Sequence, residues 1–309
     1  MKIHQGLHHT SNIPNPIVTA GTFDGVHVGH RKIIERLKVL AAENKGETVV
    51  ITFEPHPRLV LFPDDNGLQL LSTMAEKEHL LADAGVDHLI VIPFTKEFSR
   101  ISSNEWIHML VEKLLLHTLV IGYDHHFGRN REGSIAQLKK CSKELEFNLV
   151  EIPPQDIDDI RVSSTKIREC LKTGDVKLAN SFLKYAYSFT GTVVTGDKRG
   201  REIGYPTANL IIQDKNKLIP ADGVYAVNVG LNNKNYQGML NIGFRPTVDG
   251  KKHAIEVHIF DLAQDLYGKS ITIQLISRIR NEIKFESVNA LKMQLDKDAK
   301  TAIEELKEV

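Results

Sequence analysis

The feature that most constrains the fold is a change in hydrophobic period near Tyr185–Ser188. Before it, short apolar runs alternate with amphipathic stretches of helical length. The runs are Ile17–Gly21, Thr48–Phe53, His88–Phe94, Thr118–Gly122 and Asn148–Ile152. Between them lie helix candidates at Arg31–Ala42, Ala75–Ala84, Asn104–Leu116 and Ser134–Leu145. Strands separated by helices of this length imply a parallel sheet covered on both faces. After the change, apolar residues alternate and turn signals separate Phe189–Val194, Tyr225–Val229, Gln237–Ile242, Ile255–Phe260 and Ile271–Arg280. Short strands with such turns predict a small antiparallel barrel. Two helical pieces precede it, Ser164–Lys172 and Asp175–Lys184, with Gly174 as a stop and Asp175 as a cap. The tail, Ser287–Glu308, reads as one amphipathic helix. We therefore expect an α/β domain over 1–185 and a β domain over 186–309. The 309 residues agree with that count, at roughly 150 residues per domain.

Composition narrows the function classes. Lys+Arg and Asp+Glu are both 39, so the formal charge is zero. That argues against a broad nucleic-acid or membrane-binding surface and leaves room for a small basic phosphate site. Cys141 and Cys170 are the only cysteines, which offers no disulfide framework. Neither has a neighbourhood that suggests a nucleophile. MKIHQGLHHTSNIPNP lacks the apolar core of a signal peptide. No run approaches the ~18 apolar residues of a membrane span. The expectation is a cytoplasmic chain, a monomer or weak homo-oligomer.

Ligands of parallel sheets bind beyond the carboxyl ends of the strands, and the informative loops follow strands. GTFDGVHVGH places Gly21, Phe23, Asp24, His27, Gly29 and His30 between an apolar run and a helix. Free N–H groups at a helix start attract phosphate, and imidazoles at i and i+3 share a helical face. Histidine is common in this chain, and a surface role is the alternative. The glycines, Asp24 and the strand-to-helix setting favour a nucleotide site. TFEPHP, Thr52–Pro57, reads as a rigid loop, either functional or merely a shaped turn. In GYDHHFGRNREG, Asp124 ends a buried run and Phe127 suits stacking on a planar ring. In RVSSTKIRECL, Ser164, Thr165 and Arg168 offer hydroxyls, helix-start N–H groups and a guanidinium. An ordinary N-cap with a surface arginine is the other reading.

The second half holds two more candidates. GDKRGREIGYPTANL contains Gly196, Gly200 and Gly204, basic residues including Arg201, then Thr207 and Asn209. It lacks the Walker pattern. A threonine hydroxyl and an asparagine carbonyl are oxygen ligands suited to Mg²⁺ shared with phosphates; a solvated hairpin turn is the alternative. In AIEVHIFDL, Ile255, Val257 and Ile259 share one face, and Glu256, His258 and Phe260 the other. Taken alone, Glu256 leans toward exposure.

GTFDGVHVGH resembles the nucleotidylyltransferase superfamily, whose domain is Rossmann-like. With TFEPHP, the GxD..FG loop and SSTKIR, the first 180 or so residues are similar to the FMN adenylyltransferase module of bacterial bifunctional riboflavin kinase/FAD synthetases. GREIGYPTANL, GVYAV, LNIGFRPTV, EVHIFDLAQDLYGK and RIRNEIKF occur in the order of the riboflavin kinase family. That resemblance implies a six-stranded antiparallel barrel with a terminal helix. It implies two reactions: ATP-dependent phosphorylation of riboflavin to FMN with release of ADP, then adenylylation of FMN to FAD with release of pyrophosphate. His27 and His30 would bind the ATP phosphates, with Gly21, Phe23, Asp24 and Gly29 shaping the loop. Ser164, Thr165 and Arg168 would clamp the triphosphate; Asp124 and Phe127 would hold flavin. On the kinase side, Gly196, Arg201 and Thr207 would meet ATP, and Thr207 and Asn209 would hold Mg²⁺. Glu256 matches the catalytic base; Arg280 and Glu282 fall in the flavin-side segment. His125 and Leu262 stand where the family commonly has aromatics. Two competitors are another His-x-Gly-His nucleotidylyltransferase with an accessory barrel, and a non-catalytic flavin-binding protein.

Overall fold

The structure, a computed structural model, describes residues 1–8, 10, 12–63, 67–122, 134–153, 162–196, 200, 203–247, 250–262 and 264–307. Its contacts divide the chain into two compact units, Met1–Ser163 and Ser164–Val309.

The first unit is built on six strands: β1 (Lys2–Gln5), β2 (Ile17–Ala20), β3 (Thr48–Glu54), β4 (His88–Pro93), β5 (Thr118–Gly122) and β6 (Asn148–Ile152). They run parallel in the order β1-β4-β3-β2-β5-β6. The helices are α1 (Val28–Glu43), α2 (Pro57–Leu61), α3 (Met74–Asp83), α4 (Ser103–Leu114) and α5 (Ile135–Glu144). The central strands are apolar on both faces because both faces are covered. Val49 and Ile51 of β3 pack with Trp106, Leu110 and Leu138 of α4 and α5. Val50, between them, packs on the opposite side with Ile34 and Leu37 of α1 and Leu81 of α3. From β2 the chain builds β3 and β4 to one side, then crosses to lay β5 and β6 on the other. The order reverses between β2 and β5, and such a switch point opens a crevice at the carboxyl ends. The loop carrying His27 and His30 leaves β2 at that point.

The five strands and four long helices expected here are present. Among the described residues three elements are additional, one of them a 3-10 turn at Phe98–Arg100. Edge strand β1 pairs with β4. The TFEPHP loop holds a cis Glu54–Pro55 bond and leads into the short helix α2, whose N-cap His56 accepts from the Arg58 N–H.

The second unit begins with α6 (Ser164–Thr173) and α7 (Val176–Leu183). A closed antiparallel barrel follows: β7 (Ser188–Val194), β8 (Ala208–Ile211), β9 (Gly223–Leu231), β10 (Lys234–Thr247), β11 (Gly250–Ile259) and β12 (Ser270–Arg280). Its cyclic order is β10-β11-β8-β7-β12-β9. Closure leaves no free sheet edge. β8 is the strand that the alternation pattern does not reveal.

Helices α6 and α7 join the barrel through backbone partners. The Asn180 amide donates to Leu275 O, and its oxygen accepts from Tyr187 N–H. The Arg278 guanidinium donates to Thr173 O at the end of α6. The last helix, α8 (Val288–Lys307), lays Ala302 and Leu306 on Ala226, Met239 and Ile276. Arg280 forks onto the Asp298 carboxylate of α8, with N···O distances of 2.7 to 3.0 Å, and Asp298 is 1% exposed. A bidentate pair of this kind fixes orientation as well as adding energy. Cys141 and Cys170 are buried free thiols, one in each unit. Burial, with Asp175 nearby, pushes the Cys170 thiol up, which fits an inert side chain.

Candidate active sites

The first site is the loop between β2 and α1. Phe23, Gly25 and Val26 all have positive φ, at 47°, 77° and 35°. That region is rarely adopted by a β-branched residue, so the loop is strained at Val26. Asp24 holds it. The Leu71 and Ser72 N–H groups donate to its carboxylate at 2.9 and 3.0 Å, and Gly25 N–H donates to the Ser72 hydroxyl at 3.0 Å. With three donors making four contacts to a carboxylate 2% exposed, Asp24 acts as a pin. It fastens the loop to the segment that enters α3.

The fold then aims the two histidines. His27 is the N-cap of α1 and His30 lies in its first turn. Their rings stack at 3.8 Å between centroids, 17° apart, and Phe23 lies against His30 at 4.9 Å. A Cβ on Gly29 would come within 3.2 Å of the His27 ring, so a small residue lets that ring fold back over the helix start. His30 Nδ1 is buried with no hydrogen-bond partner among the described residues. Burial, then His27, then Lys77 hold the His30 proton affinity well below the usual imidazole value. His30 as a residue is only partly buried, although that nitrogen is enclosed. At neutral pH His30 is therefore a neutral hydrogen-bonding group.

Lys77 was not singled out by motif reading. It is 4% exposed, and its ammonium donates to the Thr52 hydroxyl at 3.4 Å. That hydroxyl donates in turn to Thr22 O, in the histidine-bearing loop. Four aromatic rings, Phe53, Phe94, Phe98 and Trp106, meet edge-to-face or tilted near the ends of β3 and β4. Asp124 and Phe127 lie outside the described residues. Ser164, Thr165 and Arg168 open α6 in the second unit. They stand on its accessible side, opposite buried Ile167, Cys170 and Leu171.

The second site is on the barrel. The register places Glu256 of β11 between Asn209 of β8 and Asn241 of β10. Cross-strand partners in an antiparallel pair hold their Cβ atoms about 4.5–5.5 Å apart. A carboxylate and two amides thus form a row across three strands. Ile255, Val257 and Ile259 are buried, so the alternation within AIEVHIFDL is observed. Glu256 is half-buried rather than open, with Oε1 shielded from solvent. His258, two residues along, hydrogen-bonds through Nδ1 to Pro206 O at 2.7 Å and fixes the segment before Thr207. Thr207 rims a cavity of about 70 Å³ with Val193, Val257, Leu262, Asp265 and Tyr267.

Gly196 has a steric reason. A Cβ there would lie 2.0 Å from Asn209 Nδ2. Gly196→Ala is expected to swing the Asn209 amide away and lower ATP-dependent phosphorylation by about tenfold or more. Steady-state kinetics over ATP and Mg²⁺ check this; unchanged kinetics would mean that the amide is not needed where it sits. Arg201 lies outside the described residues. The Arg280 fork is occupied by Asp298, while the exposed Glu282 accepts from Phe244 N–H at 3.4 Å beside Gly243. Among the described residues no group of three or more His, Cys, Asp or Glu is arranged to hold a metal ion.

Two family models match in tandem: FAD synthetase over residues 9–166 and riboflavin kinase over 183–306. The bifunctional riboflavin kinase/FMN adenylyltransferase of Escherichia coli K12 is 38% identical over 98% of this chain and 97% of its own length. The chain belongs to the bifunctional riboflavin kinase/FMN adenylyltransferase family. The relative in Haemophilus influenzae is 37% identical, covering 98% of each chain. A crystal structure from Streptococcus pneumoniae, titled as a macrolide-efflux protein, superimposes with a TM-score of 0.87 at 32% identity, over 98% of this chain and 99% of that one. Among the described residues no helix is long and apolar enough to cross a membrane. In this family the His-x-Gly-His loop falls in the FAD synthetase match, and Asn209 and Glu256 fall in the riboflavin kinase match.

Proposed function

We propose that this chain phosphorylates riboflavin to FMN on its barrel and adenylylates FMN to FAD on its parallel-sheet domain, consuming one ATP at each step. The observation that carries the reading is the presence in one chain of both assemblies. These are a strained, pinned loop with paired histidines at a sheet switch point, and a carboxylate in register with an amide on a closed barrel. We keep the functional division at 1–185 and 186–309.

In the kinase step Glu256 takes the proton from the ribityl 5′-hydroxyl as that oxygen attacks the γ-phosphorus and ADP leaves. Thr207 and Asn209 would hold Mg²⁺, for their hydroxyl and carbonyl oxygens are the hard ligands it accepts. Bound there, Mg²⁺ would neutralise phosphate charge. Gly196 and Arg201 belong to the ATP side. Glu282 would frame the flavin, and Arg280 would serve that side by fixing α8.

In the adenylylation step the FMN phosphate is already anionic, so no protein nucleophile is needed. An FMN oxygen attacks the α-phosphorus of ATP and pyrophosphate departs. His27 and His30 donate hydrogen bonds to the phosphates, while Gly21, Phe23, Asp24 and Gly29 shape the loop. Ser164, Thr165 and Arg168 are assigned to the triphosphate, and Asp124 and Phe127 to flavin, on the resemblance of their motifs to those of the family. A cytoplasmic enzyme that works as a monomer or weak homo-oligomer, without nucleic acid or membrane, fits the neutral charge balance.

The experiment is to incubate purified protein with riboflavin, ATP and Mg²⁺ and separate the flavins by chromatography. FMN should appear first, then FAD. FMN alone would leave a kinase with an idle first domain. FAD from supplied FMN without any FMN from riboflavin would favour an adenylyltransferase with an accessory barrel. Bound flavin with neither product would favour a binding protein.

A further inference from the structure

Lys77 is a buried ammonium with too few partners. An ammonium carries three donors, yet among the described residues Lys77 makes one hydrogen bond, a long one of 3.4 Å to Thr52. A cation removed from water this way is costly unless charges or donors' partners compensate. The fold nevertheless fixes it there. A reciprocal capping box between Thr73 and Glu76 starts α3. Lys77 follows on the inward stripe that also carries Leu81. Its surroundings come from three elements: Asp24 in the β2–α1 loop, Glu54 at the end of β3, and His30 of α1. Burial lowers the proton affinity of the ammonium, and Asp24 and then Glu54 oppose that by favouring the charged form. Asp24 is already committed to the donors of Leu71 and Ser72.

The histidines do not fill the electrostatic need of a phosphate site. Two imidazoles stacked at 3.8 Å repel if both are charged. His30, held neutral by burial, offers a hydrogen bond but no charge. ATP brings several negative charges, and its departing pyrophosphate gains more. A fixed cation in a site of low dielectric is worth far more than one in water.

We propose that Lys77 is a phosphate-binding residue of the adenylyl-transfer site, supplying from α3 the positive charge that the ATP phosphates and the departing pyrophosphate meet beside His27 and His30. This rests on the adenylyltransferase reading above. Bound phosphate oxygens would satisfy the ammonium donors that the protein leaves open. No group titrates in the step: Lys77 stays protonated, and the bond made and the bond broken are both at the α-phosphorus.

Two full-length variants test it: Lys77→Met and Lys77→Arg. The readouts are FMN-to-FAD kinetics, calorimetric binding of inorganic pyrophosphate with Mg²⁺, and thermal unfolding with and without that ligand. Lys77→Met is expected to lose about 100-fold or more in kcat/KM for ATP and to bind pyrophosphate about tenfold more weakly. Lys77→Arg should retain clearly more activity than Lys77→Met, because it keeps the charge in a less suitable shape. A packing role predicts the reverse order, since arginine is the bulkier side chain, and that order overturns the proposal. If Lys77 only balances Asp24 and Glu54, Lys77→Met should lose stability yet gain as large a thermal-unfolding shift from Mg²⁺ and pyrophosphate as the wild type, and that result overturns the proposal. Phosphate binding predicts a smaller pyrophosphate-induced shift in Lys77→Met, with Lys77→Arg between it and the wild type. Lys77→Arg keeps the buried charge and so supplies the comparison even where Lys77→Met does not fold. Wild-type protein that makes no FAD from FMN would instead sink the adenylyltransferase reading itself.

Discussion

Glu256→Gln is expected to stop FMN formation from riboflavin while leaving FAD formation from supplied FMN intact. The change keeps size, shape and hydrogen-bonding capacity, so β11 and its pairings with β8 and β10 should persist. What disappears is the ability to accept a proton. Loss of a positioned general base costs about 10²–10⁴ in rate, and kcat should carry the loss more than KM. The register argues for that outcome. Asn209 and Asn241 flank Glu256 across the sheet, and Oε1 is shielded from solvent. A carboxylate on an ordinary solvated strand would have neither neighbour nor shelter. Chromatography of flavins from both substrates, in one protein preparation, reads both steps. Undiminished FMN production by the variant would remove Glu256 from the role of base.

The parallel sheet was legible because burial on both faces writes continuous apolar runs. β3, with Thr48–Thr52 buried without interruption, is the clearest case. Edge strand β1 was not legible. Lys2–Gln5 is largely exposed and polar, and its pairing with β4 depends on backbone bonds that leave no apolar signature. β8 was hidden for another reason. Ala208–Ile211 is four residues long and overlaps the PTAN segment, where chemistry rather than alternation selects the side chains. The sixth barrel strand was thus expected from family resemblance and not from periodicity.

Site residues divided in the same manner. Loop motifs singled out His27, His30, Thr207 and Asn209 as candidates, because phosphate chemistry restricts residue types locally. Alternation alone placed Glu256 toward solvent; the fold shelters it instead, since β8 and β10 supply neighbours that a single strand cannot reveal. Lys77 was invisible among the charges of MAEKEHLLAD, where lysine reads as a solvated helix residue. A signal was nevertheless present. Met74, Lys77 and Leu81 lie at i, i+3 and i+7, so the lysine occupies a core position of an amphipathic pattern. A charge on the apolar stripe of a helix marks either a buried pair or a ligand.

His30→Ala should produce the converse phenotype: riboflavin is converted to FMN, and FMN accumulates without becoming FAD. The alanine removes a ring that stacks on His27 and touches Phe23, and it deletes one hydrogen-bond donor to the phosphates. Loss of a preorganised donor at a charged transition state costs about 10²–10³ in kcat. His27, no longer held by its neighbour, should also lose orientation, which places the effect toward the upper end of that range. Alanine is a good helix former in the first turn of α1, so the helix itself should not be the cause. Burial, then His27 and Lys77, hold the His30 proton affinity well below the usual imidazole value, so what the alanine removes is a neutral hydrogen-bonding group and not a charge. A variant that lost FMN formation, or one in which His30→Ala and Glu256→Gln abolished the same step, would contradict the assignment of one reaction to each domain. Opposite single-step defects in the two variants would tie adenylyl transfer to the stacked histidines and phosphoryl transfer to the barrel carboxylate.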